Sequence, residues 1–301
     1  MNATVKRRVA VGIGAGLIAL AAAAGAARLP ARVRAHLERT NFRGETVSLG
    51  EGVGAVAGHV IAGAAALGPT GAAAHGIVGA VGLVDDIVEP LVTADGQRPA
   101  KGLRGHLGAL ADGRLTTGNV KILGIALASA ILAAQAGTQR RKRAVGQAGP
   151  SGTGGALGAW ALDTTLIASS ANLINLLDLR PGRALKATAI LGASIDLAAR
   201  AHASPGDTRA PGQVLAAAQS GIILALAPGD LDARGMLGDA GANVLGAGLG
   251  ARAALGLGPR ARLLLAAGIV GLTLASEKVS FSAVISSTPA LRVIDEWGRR
   301  P

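Results

Sequence analysis

Val81-Gly82-Leu83-Val84-Asp85-Asp86-Ile87-Val88-Glu89-Pro90 is the stretch on which the reading of this chain turns. The residues before it, 71–84, are almost wholly apolar or small, so two adjacent carboxylates stand where a hydrophobic run is expected to meet water. Like charges side by side repel unless a cation or a strong donor lies between them. A hard divalent ion such as Mg²⁺ takes carboxylate oxygens and keeps waters that substrate phosphates can replace, so it suits such a pair. The plainer alternative is that Asp85 and Asp86 simply solvate a helix end.

Similar apolar runs recur along the chain between charged loops, the pattern of a multi-spanning helical membrane protein. We place nine spans, at about 9–27, 53–67, 71–84, 120–136, 155–170, 184–199, 214–227, up to 257, and 261–275. The expected fold is therefore all-α and polytopic, with 1–301 as a single integral membrane domain. Residues 278–301, half polar, read as an amphipathic segment lying along the interface. The basic start Lys6-Arg7-Arg8 before an apolar run also resembles a signal peptide. A retained first span is preferred because so many spans follow.

Half of the 301 residues are hydrophobic and 46 are glycine, so helices can approach through small-residue contacts. A homodimer is also admitted as a partner. With two Phe, two Trp and no Tyr, the aromatic belt at the membrane surface must be sparse. The absence of cysteine excludes disulfides and thiolate metal sites. A net charge of +12 raises nucleic acid as a partner, but the basic residues are scattered between apolar spans without aromatic platforms for bases. Loop arginines beside anionic lipid headgroups explain the charge more simply, and the run Arg140-Arg141-Lys142-Arg143 is read in that way.

Nine spans bring the loops at 28–52, 85–119, 172–186 and 229–239 and the C-terminus to one side. Counting Lys121 at the mouth of its span, eighteen of the 30 basic residues fall there, which points to the cytoplasm. Asp85, Asp86, Lys121, Asn172, Asn175, Asp178 and Asp239 share that face. Asn172, Asn175 and Asp178 lie along one side of a helix at intervals of three. The turn-rich stretch Asn41-Phe42-Arg43-Gly44-Glu45 could approach a ligand through its backbone, with Gly44 at its centre. Lys101 to His106 lies in the middle of the longest polar loop. His59 and His75, within spans, are expected to be neutral and bonded to a carbonyl on a neighbouring helix, although intramembrane ionisable groups are functional candidates by default. Asp163, within the fifth span, needs a partner or a water. The Gly149–Gly158 stretch lacks the Gly-Lys-Ser/Thr ending of a phosphate loop.

Three of these stretches together resemble the polyprenyl-phosphate N-acetylhexosamine-1-phosphate transferases, the superfamily that includes phospho-N-acetylmuramoyl-pentapeptide transferase. Its adjacent-aspartate motif matches Asp85-Asp86, its Asn-x-x-Asn-x-x-Asp motif matches Asn172, Asn175 and Asp178, and its Gly-Asp-x-Gly motif matches Gly238, Asp239 and Gly241. The resemblance covers about 10–297. It implies transfer of a sugar-1-phosphate from a UDP-sugar to a polyprenyl phosphate with Mg²⁺, releasing UMP, at a bacterial plasma membrane. It further implies that Asp178 with Asp85 or Asp86 holds the metal, that the other aspartate accepts the proton of the lipid phosphate, and that Lys121 neutralises phosphate. Asn172 and Asn175 would orient Asp178 or the nucleotide, while Asp239 and the turn at Gly44 would serve substrate binding. The chain departs from the family where Leu179-Arg180-Pro181-Gly182 replaces the usual second aspartate, and no histidine follows His202. Those departures keep open a catalytically altered relative that binds lipid-linked phosphate or scaffolds cell-wall synthesis; a transporter is a third reading, suggested by Asp163 and Asp196 in glycine-rich, Pro-interrupted spans.

Overall fold

The computed structural model describes residues 3–41, 43–94, 108, 113, 116–144, 153–201 and 211–300. Nine helices of 18 or more residues occur among them: α1 (Ala3–Ala27), α2 (Gly50–Leu67), α3 (Pro69–Ala94), α4 (Thr117–Ala144), α5 (Thr153–Leu177), α6 (Arg183–Arg200), α7 (Pro211–Leu231), α8 (Gly238–Gly256) and α9 (Pro259–Ser276). Six of them, α1 to α4, α7 and α9, are long and apolar enough to cross a membrane. The stretch Lys101–His106 lies outside the described residues.

Large apolar side chains lie outside the bundle as well as within it, where Leu132, Leu166, Ile174 and Leu245 pack among many alanines. Leu17 on α1, Leu127 on α4, Leu157 on α5, Leu197 on α6, Leu224 on α7 and Leu264 on α9 are all exposed. An outer surface rich in leucine is what a hydrocarbon solvent favours, because leaving large apolar groups exposed costs nothing there. The innermost helix is α8, whose residues are almost all buried and which packs most extensively against α5. Surrounded by other helices, α8 need not be strongly apolar to sit at the centre. Its approach to α5 depends on Gly246, where a Cβ would lie 2.3 Å from the carbonyl oxygen of Ser170.

Several polar groups inside the bundle have partners within it. Asp163 on α5 is fully buried between Arg140 of α4 and Arg262 of α9, at 2.5 Å from each. His59 and His75 are buried and stacked with ring centres 5.8 Å apart. Each bonds through Nδ1 to a carbonyl one turn earlier in its own helix, Ala55 and Gly71, rather than to a neighbouring helix as the sequence suggested. The i−4 carbonyl already lies within reach of a helical histidine, so no second helix is required.

Two further elements differ from the simple span-and-loop reading. The third span does not end at 84: α3 runs on to Ala94, so Asp85 and Asp86 belong to the helix. Between α1 and α2, β1 (Glu38–Thr40) and β2 (Thr46–Ser48) pair as a small antiparallel hairpin. Ser48 also bridges to Gly235 in the loop before α8. After α9, the short helices α10 (Phe281–Ser287) and α11 (Pro289–Glu296) fold back onto the start of α6. There Asp295 meets Arg183 at 2.7 Å, and Lys186 reaches the carbonyl of Trp297 at 3.0 Å. The same segment leaves Leu291, Ile294 and Trp297 exposed.

Candidate functional site

The latter half of α3, the start of α4, the exit of α5 and the start of α8 meet at one end of the bundle. Asp86 holds the centre. Its Oδ1 accepts the backbone amide of Asp239 and its Oδ2 that of Ala240, both at 3.0 Å. These amides open α8 and have no partner within their own helix, so a carboxylate from another helix satisfies them and complements the positive end of the helix dipole. The preceding Gly238 makes the approach feasible. Its φ is +59°, and a Cβ there would stand 2.9 Å from Asp86 Oδ2 and 2.7 Å from Leu49. A side chain would meet both strain and collision.

Asp85, the neighbouring residue, is almost fully buried. It pairs with the Lys121 ammonium at the start of α4. The same nitrogen lies 2.5 Å from Asp239 Oδ2. One lysine thus joins the first turn of α4 to the adjacent-aspartate motif and to the Gly-Asp motif. The two aspartates on which the sequence reading began are therefore not at an open helix end: backbone amides shield one and an ammonium the other.

Asp178 follows the end of α5, where its amide bonds to the carbonyl of Asn175 at 3.1 Å. Its Oδ2 is buried with no hydrogen-bond partner. Burial first, and then the charges of Asp230, Asp239 and Asp86, push its carboxyl well above the usual carboxylate range. The three motifs therefore share one electrostatic neighbourhood. Asn172 is directed elsewhere, with its amide reaching Thr273 of α9 at 3.4 Å. Gly44 occupies the hairpin turn with φ +79°, exposed and with open space around it, and contacts none of the motif residues.

Three residues that the sequence reading passed over also belong here. Arg39 of β1 donates to the backbone carbonyl of Asp86, fastening the hairpin over the motif. Asp230, near the end of α7, accepts the amide of Gly182 at 2.9 Å and so anchors the loop that follows Asp178. Glu51, in the first turn of α2, is buried and its Oε2 has no partner. It lies close enough to Asp230 and Asp178 for their charges to act on it. Its carboxylate is walled by backbone: a Cβ at Gly229 would fall 2.1 Å from Oε1. The signal available was a lone carboxylate between two glycines, Gly50-Glu51-Gly52, opening an apolar span.

The donor chemistry suits a hard cation. Asp178 has an unpartnered oxygen amid three further carboxylates, and a divalent ion would relieve both the vacancy in its bonding and the crowding of charge. Among the described residues, no three His, Asp or Glu side chains already converge on a metal position. Mg²⁺ in particular takes one or two carboxylates and completes its shell with water and phosphate oxygens. Comparison with known protein families, curated proteins and solved structures returns no match.

Proposed function

We propose that this chain is a phosphoglycosyl transferase of the polyprenyl-phosphate type, moving a sugar-1-phosphate from a UDP-sugar to a polyprenyl phosphate with release of UMP. The observation that carries this reading is the meeting of Asp85-Asp86, Asp178 and Gly238-Asp239 around the first turn of α8, with Lys121 between two of them. Residues about ninety and sixty positions apart in the sequence supply one acidic neighbourhood with a cation at its edge.

Asp178, with Asp86 beside it, would hold Mg²⁺, which when bound screens the pyrophosphate charge and makes phosphorus more electrophilic. Asp86 keeps the α8 amides in place, so that the Gly-Asp turn is held rigid beneath the substrate. Lys121 would offer its remaining donor capacity to phosphate, and Asp85 would accept the proton of the lipid phosphate. In this reading all nine long helices span a bacterial inner membrane, with the motif end and C-terminus cytoplasmic. The lipid substrate then reaches the site from the surrounding leaflet and the nucleotide from water.

The direction of Asn172 toward Thr273 favours a second reading, a relative that binds lipid-linked phosphate without turnover. Purified protein incubated with a panel of UDP-sugars, undecaprenyl phosphate and Mg²⁺ separates the two. Metal-dependent UMP release supports the transferase, and phosphate-lipid binding without UMP from any donor supports the second.

A further inference from the structure

At the end of the bundle opposite the motifs, α4 and α5 part to leave a lateral cavity of about 380 Å³. Its floor is made of small residues on both helices, among them Ala133, Gly137, Ala156 and Ala159. Trp160 forms one wall, and its indole N–H donates to the carbonyl of Ala130 on α4 at 3.0 Å, which fixes the ring. Leu157, one turn away, is 65% exposed, so the cavity opens toward the surface that faces hydrocarbon.

The upper end of the cavity is cationic. Arg140 lines it, bonded below to Asp163 at 2.5 Å and to the carbonyl of Ala254. Asp163 is shared with Arg262, so one carboxylate faces two guanidinium groups. Arg141 also lines the cavity, and both it and Lys142 are exposed at the end of α4. Among the described residues, no carboxylate besides Asp163 pairs with this group. A narrow apolar slot that opens into lipid, capped by surplus positive charge and edged by a tryptophan, has the polarity profile of one molecule: an acyl chain below and an anionic phosphate above.

We infer that the α4–α5 cavity is a binding site for an anionic phospholipid of the leaflet opposite the motif site, with an acyl chain against Ala133, Gly137 and Ala159 and the phosphate at Arg141 and Lys142. The inference stands apart from the transferase reading, since it uses none of the motif residues. The sequence alone offered only a basic run near headgroups; the slot beneath it is what selects a single bound lipid.

The chain contains two tryptophans, so Trp297→Phe leaves Trp160 as the sole emitter. This variant is reconstituted in vesicles of one fixed mixture of phosphatidylglycerol and phosphatidylcholine, with the bromine quencher on the acyl chains of one lipid or the other. Fluorescence should be quenched several-fold more when phosphatidylglycerol carries the bromine. Arg141→Gln with Lys142→Gln should lower that preference by roughly fivefold or more. Ala159→Phe, which fills the slot, should abolish it. Equal quenching by the two brominated lipids would overturn the site in the parent protein itself, whether or not the variants fold. A preference that survives Ala159→Phe would overturn it too, leaving only diffuse attraction of headgroups to a basic surface.

Discussion

Asp86 caps a helix to which it does not belong: the backbone amide of Asp239 donates to its Oδ1 at 3.0 Å across 153 residues of sequence. With Ala240 on the second oxygen, this carboxylate is a structural anchor as well as a candidate ligand. Asp86→Asn keeps one acceptor but turns an NH₂ toward an amide donor and removes a charge from the positive end of α8. The loss should be about 1–3 kcal/mol, from an unsatisfied buried amide and the lost dipole interaction. Thermal unfolding in detergent should show a clear fall in Tm, while Asp85→Asn, which weakens only one arm of the lysine contact, should fall less. Equal and negligible shifts for the two variants would remove Asp86 from the cap.

Asp178→Asn should behave in the opposite way. The native carboxylate has a partnerless oxygen and three acidic neighbours. Removing its charge therefore relieves repulsion, and the apo protein should be unchanged or more stable by up to about 1 kcal/mol. Metal affinity should fall at the same time. Titration with Mn²⁺, followed by the paramagnetic signal of the free ion, should show weaker binding than in the parent protein. If the two bind equally, Asp178 is not a ligand, and most of the case for the transferase goes with it.

The contrast between Asp86 and Asp178 shows what the sequence could and could not disclose. The helical, multi-span character was legible because hydrophobic runs are a property of contiguous residues, and the run lengths mark helices directly. The grouping of Asp85, Asp86, Lys121, Asp178 and Asp239 was legible only through motif order and alternation of spans. What distinguishes Asp86 from Asp85 was not, because both neighbours that decide it, the α8 amides and Lys121, arrive from distant segments. Glu51 escaped for a similar reason: its significance lies in the backbone of 229–235 folded over it, which no local pattern encodes. The exit of Asp85-Asp86 into water was misplaced because the apolar pattern weakens at the carboxylates while the helix continues to Ala94.

Asp163 should prove structural. It is the only carboxylate between Arg140 and Arg262 among the described residues, and all three sit at the end away from the motifs. Asp163→Asn leaves two guanidinium groups without a counter-charge, and the destabilisation should be about 3–5 kcal/mol, as for other broken buried pairs. Mn²⁺ affinity of the folded fraction should stay at the parental value. Loss of metal binding in protein that retains its unfolding transition would show that this cluster reaches the site after all.

The last prediction concerns the C-terminal segment. Burial alone would raise the Asp295 carboxyl, but Arg183 at 2.7 Å and Arg299 at 2.9 Å outweigh it and hold the group below its ordinary value of 3.8. A carboxyl whose folded value is depressed contributes stability that is complete above the unfolded value and disappears as pH falls through the folded one. Docking of α10 and α11 on α6 should therefore be constant from neutral pH down to about 4 and weaken only below that. Hydrogen exchange at 281–300 reads this directly: protection should be flat across the upper range and fall in more acid solution. Asp295→Asn should give the unprotected pattern at every pH, because the two arginines lose their shared partner. Protection that fell between pH 6 and 5 instead would assign the docking to some other titrating group, and the Arg183–Asp295–Arg299 contact would not be what holds the segment.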